Sequence, residues 1–309
     1  MWFKNLCLFR IAPPLELDPD TIEHRLADQA FRPAGKLEPS STGWVAPLGV
    51  ETAPLVHATG GYLMICARRE ERILPAAVVR EALDARIDEI AEKTGRRIRG
   101  KARTDLRDEI VLELLPRAFT RSQRTFAYID PREGWLVVDA ATPRKAEEIT
   151  ALLRKSLGSL PVTPVDVVNS PGAEMTAWLA AGDPPSGFAI GEECDLREPG
   201  DDGGIVRVRR HDLDTGEIRK HLEAGKQVTR LALDFEDRLS FVVEDNLLIK
   251  RLKFRDVVQD EAAGVQVDSD ADRFDSDFAI MSLELAGFIP RLTEAFGGLA
   301  VTDTQRNAA

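Results

Sequence analysis

The sequence predicts an α+β protein in which mixed sheets carry flanking helices. Three observations lead there: an apolar run from Gly60 or Gly61 (GYLMICARRE) that ends in charge, two further runs (FAYID and GWLVVDAA) parted by Pro131 and Gly134, and helical apolar spacing on either side of the hairpin they form. A continuous apolar run bounded by turn residues reads as a buried strand, and two runs parted by Pro and Gly read as a hairpin. With 309 residues and 43% hydrophobic content the chain can bury a full core, as one large domain or two to three smaller ones.

Between the first strand and the hairpin, Pro75 opens a pattern in which Val79, Leu83, Ile87 and Ile90 recur every three to four residues until Gly95. A second helix is expected after Thr104 as its N-cap, with Leu106, Ile110 and Leu114 on its apolar face and Pro116 as its stop. Phe119, just beyond, reads as a cap on that face. Past the hairpin, PRKAEEITALLRKSLG has Pro143 at the start and Gly158 at the end of a helix, and Pro161 and Pro164 force an extended exit. A boundary is expected near Val165, which divides the chain into a central sheet-containing domain (1–74 with 125–165), a basic helical projection (75–124) and a second α+β lobe (166–309). In that lobe IVRVRR alternates Ile205, Arg207 and Arg209 with Val206, Val208 and Arg210. LSFVVEDNLLIKRLKFR reads as two strands turning at Glu244-Asp245-Asn246, the second setting Arg251, Lys253 and Arg255 on one face and Leu252 and Phe254 on the other. Phe278 to Phe296 reads as a closing helix with Asp275 and Asp277 near its positive end.

Charge is segregated along this chain. The net charge is −11, yet the stretch from Lys93 to Arg103 holds six basic side chains (Lys93, Arg96, Arg97, Arg99, Lys101 and Arg103) and no acid. From Arg68 to Arg124, 15 Lys and Arg stand against 11 Asp and Glu, while Asp256 to Asp277 carries eight acids and a single Arg, Arg273. A charge run taken alone is usually a solvated face. Read as a binding surface, the basic run is a local positive field on a chain that would otherwise repel polyanions.

Motifs for chemistry are nearly absent. Gly225-Lys226 lacks the Ser or Thr and the preceding glycine of a phosphate-binding loop, and reads as a loop after a helix. Asp268, Asp270 and Asp272 have calcium-loop spacing, but Arg273 replaces the glycine and Ala279 the bidentate Glu. His24, His57, His211 and His221 have no ligand spacing, and Cys7, Cys66 and Cys194 are far apart and read as buried small hydrophobes. There is no GxSxG or GxGxxG, and no cofactor or metal is implied. No apolar stretch approaches the roughly 20 residues of a membrane span and no cleavable leader is visible, which points to the cytoplasm. Aromatic content of 6% argues against a base-stacking platform, and the prolines after Gly158 against a helix-turn-helix, so any nucleic acid is held by its phosphates. Two other classes remain open: a metal-dependent nuclease using carboxylates from Asp256 to Asp277, and a scaffold that binds protein.

MWFKNLCLFRI at the start, GWVAPLG (43–49), ICARREERILP (65–75), LLPRAF (114–119), ALLRKSLGSLPV (151–162), HLEAGKQVTRLALD (221–234) and IKRLKF (249–254) together resemble the bacterial recombination-associated RdgC family, in the same order over nearly the whole chain. The resemblance implies a nucleoid-associated protein that binds duplex DNA with little sequence preference and restrains the RecA recombinase. It implies a horseshoe-like, multi-lobed subunit that closes into a ring-shaped homodimer with a positively lined hole. It also implies two closure contacts, one through Phe119 and the other through Arg210 and His211, where His211 stands in place of an uncharged amide. The basic run, and less directly Arg251, Lys253 and Arg255, become candidate DNA contacts.

Overall fold

Backbone pairing divides the strands between two antiparallel sheets. The structure is a computed structural model and describes residues 1–12, 18–200 and 203–300. In the larger sheet β2 (Ser40–Val45), β4 (Tyr62–Ile73), β5 (Phe119–Asp130), β6 (Trp135–Val138), β1 (Cys7–Ile11) and β7 (Val162–Pro164) lie side by side in that order. β3 (Val56–Thr59) and β2 share one edge of β4: β3 pairs with Tyr62–Ile65 and β2 with Cys66–Glu71. Gly60 and Gly61, both at positive φ, make the two-residue turn from β3 into β4. The smaller sheet runs β12 (Ile249–Phe254), β11 (Leu239–Glu244), β10 (Gln227–Phe235), β8 (Phe188–Arg197) and β9 (Ile205–Arg209).

Side-chain alternation gives the larger sheet two buried faces. On one, Leu63, Ile65, Ala67, Ala127 and Ile129 pack against Ile22 and Leu26 of α1 (Pro19–Ala27) and Ile149, Leu153 and Leu157 of α4 (Pro143–Leu157). On the other, Tyr62, Met64 and Tyr128 join a core shared with the smaller sheet, α5 (Pro171–Ala181), α6 (Gly216–Glu223), α7 (Asp256–Gly264) and above all α8 (Asp270–Ala295). The rings of Tyr128 and Phe278 are 6.0 Å apart, and Phe288 of α8 meets Phe241 at 4.9 Å and Phe235 at 5.4 Å. Reciprocal backbone bonds between Leu6 and Ile249, 2.9 and 3.1 Å, tie the sheets directly. α2 (Ala76–Thr94) and α3 (Lys101–Leu114) form a helical hairpin between β4 and β5.

The α+β expectation with flanking helices holds, as do the hairpin at Pro131–Gly134, the helix from Pro143 to Gly158 and the turn at Glu244–Asn246. Three local expectations are corrected. α3 begins at Lys101, before Thr104, because the Gly100 carbonyl accepts from Arg103 N (3.0 Å) and Thr104 N (3.3 Å) and so makes Gly100 the N-cap. α8 begins at Asp270, well before Phe278, because the Ser269 hydroxyl accepts from Asp272 N at 3.1 Å. Asp275 and Asp277 therefore lie inside the helix, not at its positive end. Asp277 pairs with the Met1 ammonium, and Asp275 accepts from the Thr59 hydroxyl and lies 3.0 Å from His57 Nε2. Finally, Phe119 does not cap the apolar face of α3: it opens β5 and is 85% exposed.

Two outcomes follow from this packing. Phe288→Ala removes a ring with no solvent exposure between two aromatic neighbours and is expected to lower stability by about 3–5 kcal/mol, read as a fall in the urea midpoint. Burial pushes the Cys7 and Cys66 thiols up to about 12 and Cys194 up to about 11, which leaves almost no thiolate at pH 8. A thiol reagent at that pH should leave all three unmodified in the native protein and label all three in denaturant.

Candidate nucleic-acid interface

The α2–α3 hairpin carries its own small apolar seam, Leu83 and Ile87 of α2 against Ile110 of α3, with Leu106 and Leu114 packed beside it. α2 ends at Gly95 in the left-handed region (φ 67°), whose amide returns to Ala91 O at 2.8 Å, and Gly100 at φ 59° starts α3. Such backbone angles are cheap only for glycine, so the two glycines set a tight tip. Lys93, Arg96, Arg97, Arg99, Lys101 and Arg103 gather there and all six are exposed. Three of them have carboxylate neighbours: Lys93 with Glu89 (2.7 Å), Arg97 with Asp88 (3.7 Å) and Arg103 with Asp84 (3.1 Å). Exposed pairs of this kind are worth about 0–1 kcal/mol and exchange readily for another anion. Arg96, Arg99 and Lys101 have no carboxylate within 4.0 Å among the described residues.

The second candidate group lies on the smaller sheet. Arg251 and Lys253 of β12 and Arg255 just after it lie on one side of the sheet, Arg251 at a ladder irregularity with φ 51°, and with Arg210 they line an open concavity of about 470 Å³. Their positive charge is largely shared. The Arg251 guanidinium grips both carboxylate oxygens of Glu193 on β8 and holds that acid below its usual range. Arg255 pairs with Asp234 of β10 and approaches Asp237 at 3.8 Å. Lys253 and Arg210 have no carboxylate partner among the described residues. Arg210 has φ 52° and follows β9, the strand at one end of this sheet, and the amide of exposed His211 donates to Glu192 O at 3.2 Å.

The candidates thus form two separate groups, six at the hairpin tip and four around β12 with His211 beside Arg210, and Phe119 stands apart from both beside half-exposed Ile73, its partner across β4 and β5. Apart from Phe119 at its end, sequence patterns single out no residue on the outer half of the β4–β5 ladder, where Arg68 faces Arg124 and Arg121 faces Glu71. The only signal for that arm is the basic surplus between Arg68 and Arg124.

The acids from Asp256 to Asp277 do not converge. Asp256, Asp260 and Glu261 are on α7, Asp270 and Asp272 are in the first turn of α8, and Asp275 and Asp277 turn to His57 and Met1. Among the described residues, no three of His, Cys, Asp or Glu are placed to hold a metal ion together. No helix among them is long and apolar enough to cross a membrane.

Comparison with known proteins bears on these surfaces. A family model described as "Putative exonuclease, RdgC" matches residues 1–299. Relatives named "Recombination-associated protein RdgC" include one from Tolumonas auensis, 46% identical over 298 residues that cover 96% of this chain and 99% of the relative. A second, from Halorhodospira halophila, is 45% identical over 96% of this chain and 98% of its own length, and one from Pseudomonas fluorescens is 43% identical over the same shares. The two descriptions differ, one naming an exonuclease activity and the other a link to recombination, but they agree on the lineage. With such identity along essentially its whole length, and a family model that spans it, this chain belongs to the RdgC family of recombination-associated proteins.

Proposed function

We propose that the chain binds double-stranded DNA through phosphates, without sequence preference, as a ring-shaped homodimer that encloses the duplex and restrains RecA-mediated recombination. The observation that carries this reading is the group of six exposed cations at the tip of the α2–α3 hairpin on a chain of net charge −11. At physiological salt, fields are screened over about 8 Å, so the tip cations govern the approach of a phosphate while the acids elsewhere are screened. A negative outer surface and a positive inner wall serve an enclosing ring, because duplex outside the hole is repelled. In this reading residues 75–124 form a projection from a central domain (1–74 with 125–165), the second lobe spans 166–309, and the protein resides with the nucleoid in the cytoplasm.

Phe119 supports the closure step: a phenyl ring 85% exposed at the root of the projection gains its burial only from a partner. Arg210 and His211, exposed beside β9, are the proposed second contact. The reading is non-enzymatic. It is supported by the way the acids of the 256–277 segment are dispersed or engaged with His57, Thr59 and Met1. Occupancy of the duplex then denies the recombinase filament its partner, whereas a scaffold acting on the recombinase directly would need no DNA.

Salt titration of binding to unrelated linear duplexes is the central test. With six phosphates neutralised, affinity should fall on the order of a thousandfold between 50 and 200 mM salt, and reversing the charge of Arg96, Arg97 and Arg99 should flatten the log–log slope by about 3. A shallow slope in the unmodified protein overturns phosphate binding, and inhibition of the recombinase that survives the reversal supports the scaffold. Release of acid-soluble nucleotides in magnesium or manganese would establish the exonuclease activity that the family description names. Phe119→Ser should leave the unfolding of the isolated chain within about 0.5 kcal/mol of the unmodified protein. The same variant should lose the dimer in sedimentation, and with it the salt-resistant retention on closed circular DNA that a closed ring predicts.

A further inference from the structure

The face of β4 and β5 that is apolar beneath α4 turns polar beyond the start of that helix. Ala67 pairs with Thr125, Arg69 with Gln123 and Glu71 with Arg121, all on the side that faces α4. Between these strands and the first turn of α4 lies a concavity of about 240 Å³, several times the roughly 30 Å³ share of one water. We infer that this concavity is a binding site for a phosphate group.

Its charge is poorly balanced by the protein itself. A 15-residue helix presents the equivalent of about half a positive charge at its N-terminus, where acids are favoured, yet the first turn of α4 has no acid and bears Arg144 and Lys145. Neither has a carboxylate within 4.0 Å among the described residues. Across the concavity Arg69 meets Glu148 at 3.1 Å and Arg121 meets Glu71, so four cations stand against two carboxylates. Lys145 is partly buried, and burial lowers its pKa despite the pull of Asp139 and Glu148. An added anion would offset that penalty by its attraction for the ammonium.

A second observation is independent of charge. Thr125 is only 6% exposed, lines the concavity, and its hydroxyl makes no hydrogen bond among the described residues. The hydroxyl has no protein partner among these residues and opens onto the concavity, and between Ala67 and Ala127 a valine would pack as well. A tetrahedral anion seated at the helix start satisfies the hydroxyl and has enough oxygens to accept from guanidinium groups on both sides. That geometry favours phosphate over a planar carboxylate. The site is separate from the hairpin tip and from β12, and it stands whether or not the protein encloses duplex. A DNA backbone phosphate and a free phosphate ester present the same oxygens.

Calorimetric titration of the full chain with inorganic phosphate, at constant ionic strength against chloride, tests the site. Saturable heat is expected for the unmodified protein, with affinity reduced about tenfold or more in Arg144→Gln/Lys145→Gln and in the near-isosteric Thr125→Val. Absence of saturable heat in the unmodified protein, or unchanged heat in both variants, overturns the site. Duplex titration identifies the source. A salt slope flattened by about 1 to 2 in the double variant assigns the site to a DNA phosphate, and an unchanged slope with lost phosphate heat assigns it to free phosphate. Failure of the unmodified protein to bind duplex would overturn the DNA reading and leave the phosphate heat intact.

Discussion

The arrangement of this molecule depends on one apolar helix having two partners. α8 sends Phe278 toward Tyr128 of the larger sheet and Phe288 toward Phe235 and Phe241 of the smaller, with Met281 and Leu285 fully buried between them. Burial on this scale is non-directional in origin, yet the dense packing of interiors makes it behave as a rigid joint. The Leu6–Ile249 bridge adds direction by aligning the sheets through paired backbone bonds. Every basic surface described above is positioned by that joint, since the hairpin belongs to one sheet and β12 to the other.

The two basic surfaces differ in how much of their charge is free. At the tip the acids are on neighbouring turns of the same hairpin and the pairs are exposed, so a polyanion competes with weak bonds. Around β12, Glu193 and Asp234 come from β8 and β10, across the sheet, and meet Arg251 and Arg255 in close, partly sheltered pairs. Those guanidinium groups hold the sheet face in shape, which leaves Lys253 and Arg210 as the cations of that concavity without a carboxylate partner among the described residues. Local cationic surface on an acidic protein is thus obtained by choosing where pairs are weak, not by removing the acids.

Much of the scaffold was legible because its signals are local. Pro143 and Gly158 delimit α4, Gly95 ends α2, and the apolar runs on either side of Pro131 and Gly134 mark a hairpin, each by backbone constraints within a few residues. The start of α8 was hidden because its cap, Ser269, stands in an Asp-rich stretch that reads as loop. The residues alone do not place Phe119, since a phenyl ring after an apolar helical face looks the same whether it folds back or enters a strand. The pairing of Arg251 with Glu193, 58 residues apart, follows from strand order, and the cations near α4 come from β4, β5 and α4. Neither is a pattern that any window of sequence contains. The basic run itself was visible, and the family resemblance rested on whole blocks of residues, not on periodicity.

β4 and β5 stay paired from Leu63 and Ile129 out to Ile73 and Phe119, while β6 covers only the inner residues of β5 and β2 stops at Ser40, opposite Glu71. The part of β5 beyond β6, from Phe119 to Phe126, spans about 26 Å at about 3.3 Å per residue, and with β4, which β2 flanks as far as Glu71, it carries the helical hairpin at its end. Arg72 near the outer end of this ribbon bonds the carbonyls of Ala34, Gly35 and Leu115, so the ribbon is held to the 34–35 loop as well as to the sheet. The direction in which the hairpin points is therefore set by contacts along the outer ladder, far from any residue that a ligand at the tip would touch.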